Sequence, residues 1–96
     1  MLDKVKQALR ISHNFLNNDI RDTIEAARAE MIRSGVSVKA ANNDGDQLIA
    51  RAIKTFCLGE YEKDPKLAEG YQKSWEHQLD NLRKTSSYTE SGDENV

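Results

Sequence analysis

The sequence of 96 residues predicts an all-α fold of four helices, with a long loop between the second and the third and a disordered C-terminal tail. Apolar residues recur at steps of three and four along most of the chain, which is the spacing of one buried helix face. Helix-capping residues stand before these segments. Because a chain of this length builds one hydrophobic core, we predict a single helical domain at 1–84, followed by an acidic tail at 85–96.

The first helix is short, and the sequence predicts it from Lys4 to Arg10. Asp3 stands before it as a candidate cap, because its carboxylate can accept hydrogen bonds from the free amides of the first turn. Val5 and Leu9 are four positions apart and therefore share one face of this helix. We expect that face to pack inward.

A polar turn, SHNFLNND at positions 12–19, separates the first helix from the second. Its Ser and Asn side chains hydrogen-bond to nearby backbone and so favour a turn over a helix. Phe15 and Leu16 interrupt this polar composition. Both are apolar, and we expect them to plug the core from the loop.

The second helix carries the clearest pattern in the chain. Asn18 or Asp19 is its candidate cap, and Arg28 and Arg33 occupy its late turns, where the helix dipole favours positive charge. Gly35 is the expected C-terminal stop. One buried stripe follows steps of four, three and four through Ile20, Ile24, Ala27 and Met31.

The segment VSVKAANNDGD, which follows the second helix, is long for a connection between helices in a compact domain. Its alternating valines predict an extended loop with a strand-like piece at Val36 to Val38. Connections of this length are often functional. We therefore take Val36, Val38 and Lys39 as a candidate interface that presents apolar anchors to a neighbouring molecule.

Two further helices complete the predicted domain. The third runs from Asp46, a candidate cap, to Tyr61, and its wide apolar face predicts the most buried helix. Pro65 cannot continue that helix but suits the first turn of a new one after Asp64. The fourth helix extends to Lys84, and its inward face carries Leu67, Tyr71, Trp75, Leu79 and Leu82.

The composition changes after Lys84, where the chain becomes rich in Ser, Thr and acidic residues. Such a segment buries too little apolar surface to offset the entropy lost on ordering, so we predict a disordered tail at 85–96. Disordered tails can become ordered on binding a partner. Ser86, Tyr88 and Glu90 are the tail residues that we expect to make such contacts.

The charge balance excludes a strongly basic protein. The chain carries 14 Lys and Arg against 16 Asp and Glu, for a formal net charge of −2. This gives no basic footprint of the kind that nonspecific nucleic-acid binding uses. No apolar run approaches the roughly 20 residues of a membrane span, and the N-terminus lacks the apolar core of a signal peptide. We expect a cytoplasmic protein without a membrane partner.

Residue types that carry catalysis or bind metals are sparse. His13 and His77 lie in different segments, and neither has a partner at the spacing that zinc sites use. The sequence holds no Gly-rich phosphate cradle, GxSxG elbow or HExxH pair. Cys57 lies in an apolar run, where a buried thiol is expected. We therefore expect neither an enzyme nor a metal or cofactor site.

Three sequence patterns, one in each of the first three predicted helices and the turns next to them, follow one another in a characteristic order. The first helix has a Val-Lys and Leu-Arg-Ile pattern, an aspartate precedes a helix with paired alanines, and an apolar third helix closes on a tyrosine followed by charges. Over 2–83 this order resembles the small head-tail connector (head-completion or adaptor) proteins of long-tailed bacteriophages. The matching residues are Val5, Lys6, Leu9, Arg10 and Ile11, then Asp19, Ala26 and Ala27, then Ala52, Ile53, Tyr61, Glu62 and Lys63.

The resemblance implies a structural virion protein at the head-tail interface, assembled in the host cytoplasm. Such connectors are wedge-shaped helical subunits that form rings, commonly dodecamers, beneath the portal and extend the DNA channel toward the stopper or tail. The implied partners are other copies of the chain, the portal protein and the stopper or tail-completion protein, while DNA passes without sequence-specific binding. Val36, Val38 and Lys39 then become an oligomer or axial interface, and the tail binds the portal or the next protein.

A second hypothesis comes from a different class of protein, a small helical regulator that binds DNA or a protein as a dimer. A helix-turn-helix protein needs a short turn before a recognition helix with exposed polar side chains. Here the helix after the long loop is mostly apolar and offers only Arg51 and Lys54. A gel shift at low salt separates the two hypotheses, because even nonspecific DNA binding appears there.

Overall fold

The computed structural model describes residues 1–89, in which six helices form and no strand does. The four longest are the helices that the sequence predicts, so the all-α prediction is confirmed. The other two are short helices of four residues each. None of the described helices is long and apolar enough to cross a membrane. In chain order they are α1 (Leu2–Leu9), α2 (Asn17–Arg33), α3 (Val38–Ala41), α4 (Gln47–Tyr61), α5 (Pro65–Arg83) and α6 (Ser86–Thr89).

The core forms around α4, which contacts α5 and also contacts α1 and α2, a pair that pack on each other. Trp75 of α5 covers α4, with its ring 4.9 Å from that of Phe56 in an edge-to-face arrangement. Gly59 permits this close approach of α4 and α5, because a Cβ there would lie 3.2 Å from Tyr71 Cβ. The predicted stripe of α2 meets the apolar face of α4 in the core, which includes Ile20, Ile24, Ala27, Met31, Ile49, Ile53 and Cys57.

The two capping aspartates of α4 and α5 act as predicted. Asp46 Oδ1 accepts a hydrogen bond from the Leu48 amide at 2.9 Å. Asp64 Oδ1 accepts one from the Lys66 amide, also at 2.9 Å. Pro65 occupies the first turn of α5, where its missing N–H removes no helical hydrogen bond. Both caps satisfy amides that have no partner within their helix.

α1 begins and ends earlier than predicted. It starts at Leu2, which puts Asp3 inside the first turn, where a negative charge interacts favourably with the helix dipole. It ends at Leu9, because Arg10 adopts a left-handed conformation with φ 60°. This turn brings the half-buried Ile11 against the core, so apolar packing sets the end of the helix.

α2 begins at Asn17, earlier than either predicted cap, and has no side-chain cap. The half-buried Leu16 precedes it, and its carbonyl accepts the Ile20 amide at 2.8 Å. Burial of these two apolar residues therefore sets the start of the helix in place of a polar cap. The C-terminal end follows the prediction, because Gly35 supplies the positive φ of 116° that turns the chain out of the helix.

The prediction of a strand-like piece at Val36 to Val38 is wrong. Val36 is 2% exposed and belongs to the core, and the chain enters α3 two residues later. Ser37 caps that helix, since its Oγ accepts the Ala40 amide at 3.0 Å. The long predicted loop is therefore two short connections on either side of one turn of helix.

The structure differs from the predicted disordered tail at Ser86–Thr89, which form α6. The Tyr88 carbonyl accepts a hydrogen bond from the Ser37 amide at 2.8 Å, and Tyr88 packs against the core. The Tyr88 side chain thus buries apolar surface, which the polar residues around it do not provide. Glu90 and the rest of 90–96 lie outside the described residues.

Candidate interaction surfaces

The two predicted site segments come together on one surface, although they lie about fifty positions apart in the sequence. Val38 is 61% exposed on α3, and Lys39 beside it is also exposed. Lys39 lines a shallow depression of about 180 Å³ together with Ser87 and Tyr88 of α6. We name these four residues the α3–α6 surface. Val36 is not part of it, because its side chain lies in the core.

A buried guanidinium fixes the connection that follows α3. Arg28 Nη1 donates hydrogen bonds to Asp44 Oδ1 at 2.7 Å and to the Ala41 carbonyl at 3.0 Å. Its Nε donates to Glu25 Oε2 at 3.1 Å. Burial alone would lower the pKa of Arg28, but the two carboxylates more than offset it and raise that pKa above its ordinary value. α2 thus holds α3 in place through Arg28.

α6 is held mainly through its tyrosine. The Tyr88 hydroxyl donates a hydrogen bond to Asp46 Oδ2 at 2.9 Å. Burial, followed by this hydrogen bond, raises the pKa of Tyr88 above its ordinary value. The hydroxyl therefore stays protonated and remains a donor at neutral pH. Ser86 at the start of α6 is exposed and has its side chain free of the core.

A second surface is a groove of about 490 Å³ between α4, α5 and α6, which we name the α4–α5 groove. Its apolar part is formed by Leu48, which is 54% exposed, together with Leu82 and Tyr88. Arg51 and Lys73 also line it, and its other lining residues are neutral or histidine. No lining residue within the described part of the chain is acidic. Lys73 already pairs with Glu69 at 3.4 Å, whereas Arg51 makes no salt bridge among the described residues. The groove therefore suits an apolar group that has negative charge near Arg51.

Phe15 is the third feature, and the prediction that it plugs the core is wrong. Its side chain is 90% exposed, whereas the adjacent Leu16 is half-buried and packs against the core. The loop that carries it is braced: Lys6 Nζ donates to Asn14 Oδ1 at 2.9 Å, and Asn17 Nδ2 donates to the same oxygen at 3.2 Å. Sequence reasoning missed this surface residue, because no pattern within a loop shows which of two adjacent apolar residues turns inward.

Reactive groups are few in the described chain. Within 1–89, no group of three or more His, Cys, Asp or Glu side chains could hold a metal ion. Cys57 is buried, as predicted, and burial together with the charge of Glu60 raises the pKa of its thiol to about 12. A thiol with that pKa is not a nucleophile at neutral pH. The surfaces described above offer apolar area, hydrogen-bonding groups and charge.

A family model described as phage connector protein matches the sequence over residues 1–89. The chain belongs to the phage connector protein family. The match spans all six helices, and it confirms the resemblance to head-tail connectors that the three sequence stretches carry. Searches of curated proteins and of solved structures give no match.

Membership in a structural family directs attention to the exposed apolar residues of this phage connector, because the core of an interface between proteins is more apolar than the rest of the surface. Three of them lie on the features described above: Phe15 on the braced loop, Val38 on the α3–α6 surface and Leu48 in the α4–α5 groove. Two others lie elsewhere, Ile32 on α2 and Leu67 on α5. The prediction that Leu67 faces inward is wrong, because it is 55% exposed. The described part of the connector thus exposes large apolar side chains on several distinct elements.

Proposed function

We propose that this connector assembles into a ring, a dodecamer in the virion, beneath the portal of the filled capsid. There it extends the DNA channel and joins the capsid to the tail, after assembly in the host cytoplasm. The observation that carries this proposal is the family match over residues 1–89. In this function the protein is not an enzyme and uses no cofactor, and DNA passes through it without sequence-specific binding.

The distribution of the surfaces supports self-assembly. A ring needs two different patches on each subunit, because each subunit contacts one neighbour through the first patch and the other neighbour through the second. Such a head-to-tail contact gives a ring when its rotation closes. Phe15, on the loop between α1 and α2, and the α4–α5 groove are two such patches. They differ in shape and composition, so contact between them would be heterologous, as a ring requires.

The α3–α6 surface is the candidate contact for an axial partner, either the portal protein or the stopper or tail-completion protein. It combines an exposed apolar residue, Val38, with a cation, Lys39, and the chain continues from it into the acidic tail. We propose that the tail binds the same partner. The Tyr88 hydroxyl is already bonded to Asp46, so Ser86 and Glu90 are the tail residues whose polar groups we propose for this contact.

Cosedimentation with purified portal rings tests the proposed function. We expect the connector to pellet with the portal in a fixed ratio, and stained complexes to show an added layer around an open centre. A connector that stays in the supernatant at every concentration would contradict the proposal. A gel shift at low salt tests the alternative, a dimeric DNA-binding regulator, and DNA binding without portal binding would favour that class.

A further inference from the structure

Phe15 has the highest exposed fraction among the large apolar residues exposed in the described chain, at 90%. An aromatic side chain in this position loses the benefit of burial, yet the loop around it is ordered by specific contacts. The Lys6 ammonium and the Asn17 amide both bind the Asn14 side chain, and the Phe15 amide donates to His13 Nδ1 at 3.3 Å. The His13 and Phe15 rings lie 5.1 Å apart. The loop is therefore preorganised to present an aromatic anchor.

Preorganisation matters because fixing a loop in its bound form removes part of the entropy cost of binding. Aromatic side chains are among the residues that contribute most to protein interfaces. The pocket that receives such an anchor is apolar and excludes water. The α4–α5 groove offers an apolar lining of Leu48, Leu82 and Tyr88 with no acidic residue. A second hollow, which Leu16 and Leu58 line, includes the carboxylate of Glu62.

Phe15 and the groove lie toward opposite ends of α4. Leu16, next to Phe15, lines a hollow with Leu58 and Tyr61 near the C-terminal end of α4. Leu48 of the groove is the second residue of that helix. At a rise of about 1.5 Å per residue, the two ends are about 20 Å apart. A chain therefore cannot place its own Phe15 in its own groove, so a Phe15 in the groove would have to come from a second copy.

The charges around the two features are complementary. Asp19 and Asp22, both exposed, lie on the first turns of α2 just after Phe15. Arg21 lies between them and donates a hydrogen bond to Asn18 Oδ1 at 3.3 Å. In the groove Lys73 already pairs with Glu69 at 3.4 Å, whereas Arg51 makes no salt bridge among the described residues. A copy that inserts Phe15 brings carboxylates toward Arg51.

We propose that Phe15 of each connector subunit inserts into the α4–α5 groove of the next subunit, and that this is the repeating contact of the ring. The inference rests on the proposed ring and identifies the two patches that form it. The Phe15 ring packs on Leu48, Leu82 and Tyr88 of the neighbour, and the Arg51 guanidinium lies against its face, as cations do on aromatic rings. Because the two patches differ, each subunit uses both, and the contact propagates until the ring closes.

Complementation between two variants tests this contact. Phe15→Ser removes the anchor in a loop that is already polar, and Leu48→Glu blocks the groove at the first turn of α4, where a negative charge suits the helix. Leu67→Glu is the matched control, because Leu67 is 55% exposed in the first turn of α5. Circular dichroism verifies that all three variants keep the helical fold. Light scattering then gives their masses, alone and with portal rings.

We expect the wild type and Leu67→Glu to form rings, and Phe15→Ser and Leu48→Glu each to remain monomeric, with self-association weakened at least tenfold, or about 1.4 kcal/mol. An equal mixture of the two monomeric variants should form dimers and nothing larger, because the pair retains one intact anchor and one intact groove. Rings from Phe15→Ser, or a mixture that stays monomeric, would overturn this contact while leaving the ring itself standing. A wild-type chain that is monomeric even with portal rings would overturn both proposals.

Discussion

The Tyr88 hydroxyl donates a hydrogen bond to Asp46 Oδ2 at 2.9 Å, across 42 positions of sequence. Asp46 is also the residue whose Oδ1 caps α4 through the Leu48 amide. One carboxylate therefore both starts the central helix and anchors the last described one. Because Leu48 and Tyr88 also line the α4–α5 groove, this relationship shapes the surface on which the proposed ring contact depends.

Replacing Tyr88 with Phe should loosen α6 while leaving the rest of the fold intact. The change removes the hydrogen bond to Asp46 and keeps the ring that packs on the core. A hydrogen bond to a charged acceptor contributes about 1.5 kcal/mol, less where water competes, as at this half-buried site. Hydrogen exchange should accelerate at 85–89 and stay unchanged in α2. Tyr71→Phe on α5 is the control, and unchanged exchange at 85–89 in Tyr88→Phe would contradict the anchoring role.

Asp44 should make the stability of the domain sensitive to acid. The hydrogen bond from Arg28 lowers the pKa of Asp44 below its ordinary value of 3.8, and the N-terminal amino group and Lys4 add favourable charge. A lowered folded pKa stabilises the fold fully above the unfolded pKa, and the contribution is lost as pH falls through the folded value. Asp44→Asn should therefore lower the free energy of unfolding at pH 6, by about 1 kcal/mol because the site is partly exposed. Below pH 4, the free energy of unfolding of this variant should fall less steeply with pH than that of the wild type.

Urea unfolding at a series of pH values measures this effect. Asp22→Asn, which changes an exposed carboxylate on α2, is the control. If the stability of Asp44→Asn ran parallel to that of the wild type from pH 6 to pH 2, the Arg28 pair would not be the source of acid sensitivity. Arg28 also binds the Ala41 carbonyl, so the loss of stability in Asp44→Asn also reflects the anchoring of the connection after α3.

The same substitution should reduce the stability of the domain strongly at Val36 and only slightly, if at all, at Val38. Val36→Asp places a carboxylate in the core and should destabilise the domain by about 3 kcal/mol or more. Val38→Asp changes an exposed position and should shift stability by no more than about 0.5 kcal/mol. Thermal unfolding distinguishes them. Val38→Asp should weaken binding to portal rings or to the next protein in the stack, and undiminished binding to both would count against the α3–α6 surface.

Two truncations should separate the tail from the fold. Removing 90–96 leaves α6 and its hydrogen bonds in place, so the melting temperature should stay at the wild-type value while binding to the axial partner weakens. Removing 86–96 also deletes Tyr88 and should lower the melting temperature by several degrees, since about 1 kcal/mol shifts a domain of this size by roughly 4–8 °C. If the chain that lacks only 90–96 bound the axial partner fully, the proposed role of the tail would be contradicted.

Local signals in the sequence were sufficient for much of the fold. Asp46 and Asp64 each precede a helix that their own carboxylate caps, and Pro65 and Gly35 act through fixed backbone preferences. These effects depend on residues within four positions of one another. For that reason the start of α4, the break before α5 and the end of α2 could be predicted without knowledge of the tertiary structure.

The surfaces depend on contacts between distant residues, and here sequence reasoning was less successful. Val36 and Val38 alternate in the sequence, but a turn of helix puts one in the core and the other in solvent. Tyr88 orders α6 through a partner 42 positions away. The outward position of Phe15 follows from the way in which Leu16 fills the core, and nothing within the turn itself indicates it. Candidate interface residues therefore required the packed structure.

The decisive test of ring assembly is the mass of the connector in solution, measured by light scattering after size exclusion over a wide concentration range. Negative-stain imaging of any large species shows whether it has a central hole. The mass measurement is then repeated with portal rings present, because the portal can serve as the template on which the ring assembles. We predict a closed species of about a dozen chains around an open centre, as head-to-tail contacts allow. A connector that remains a monomer at every concentration, both alone and with the portal, would rule out the proposed ring.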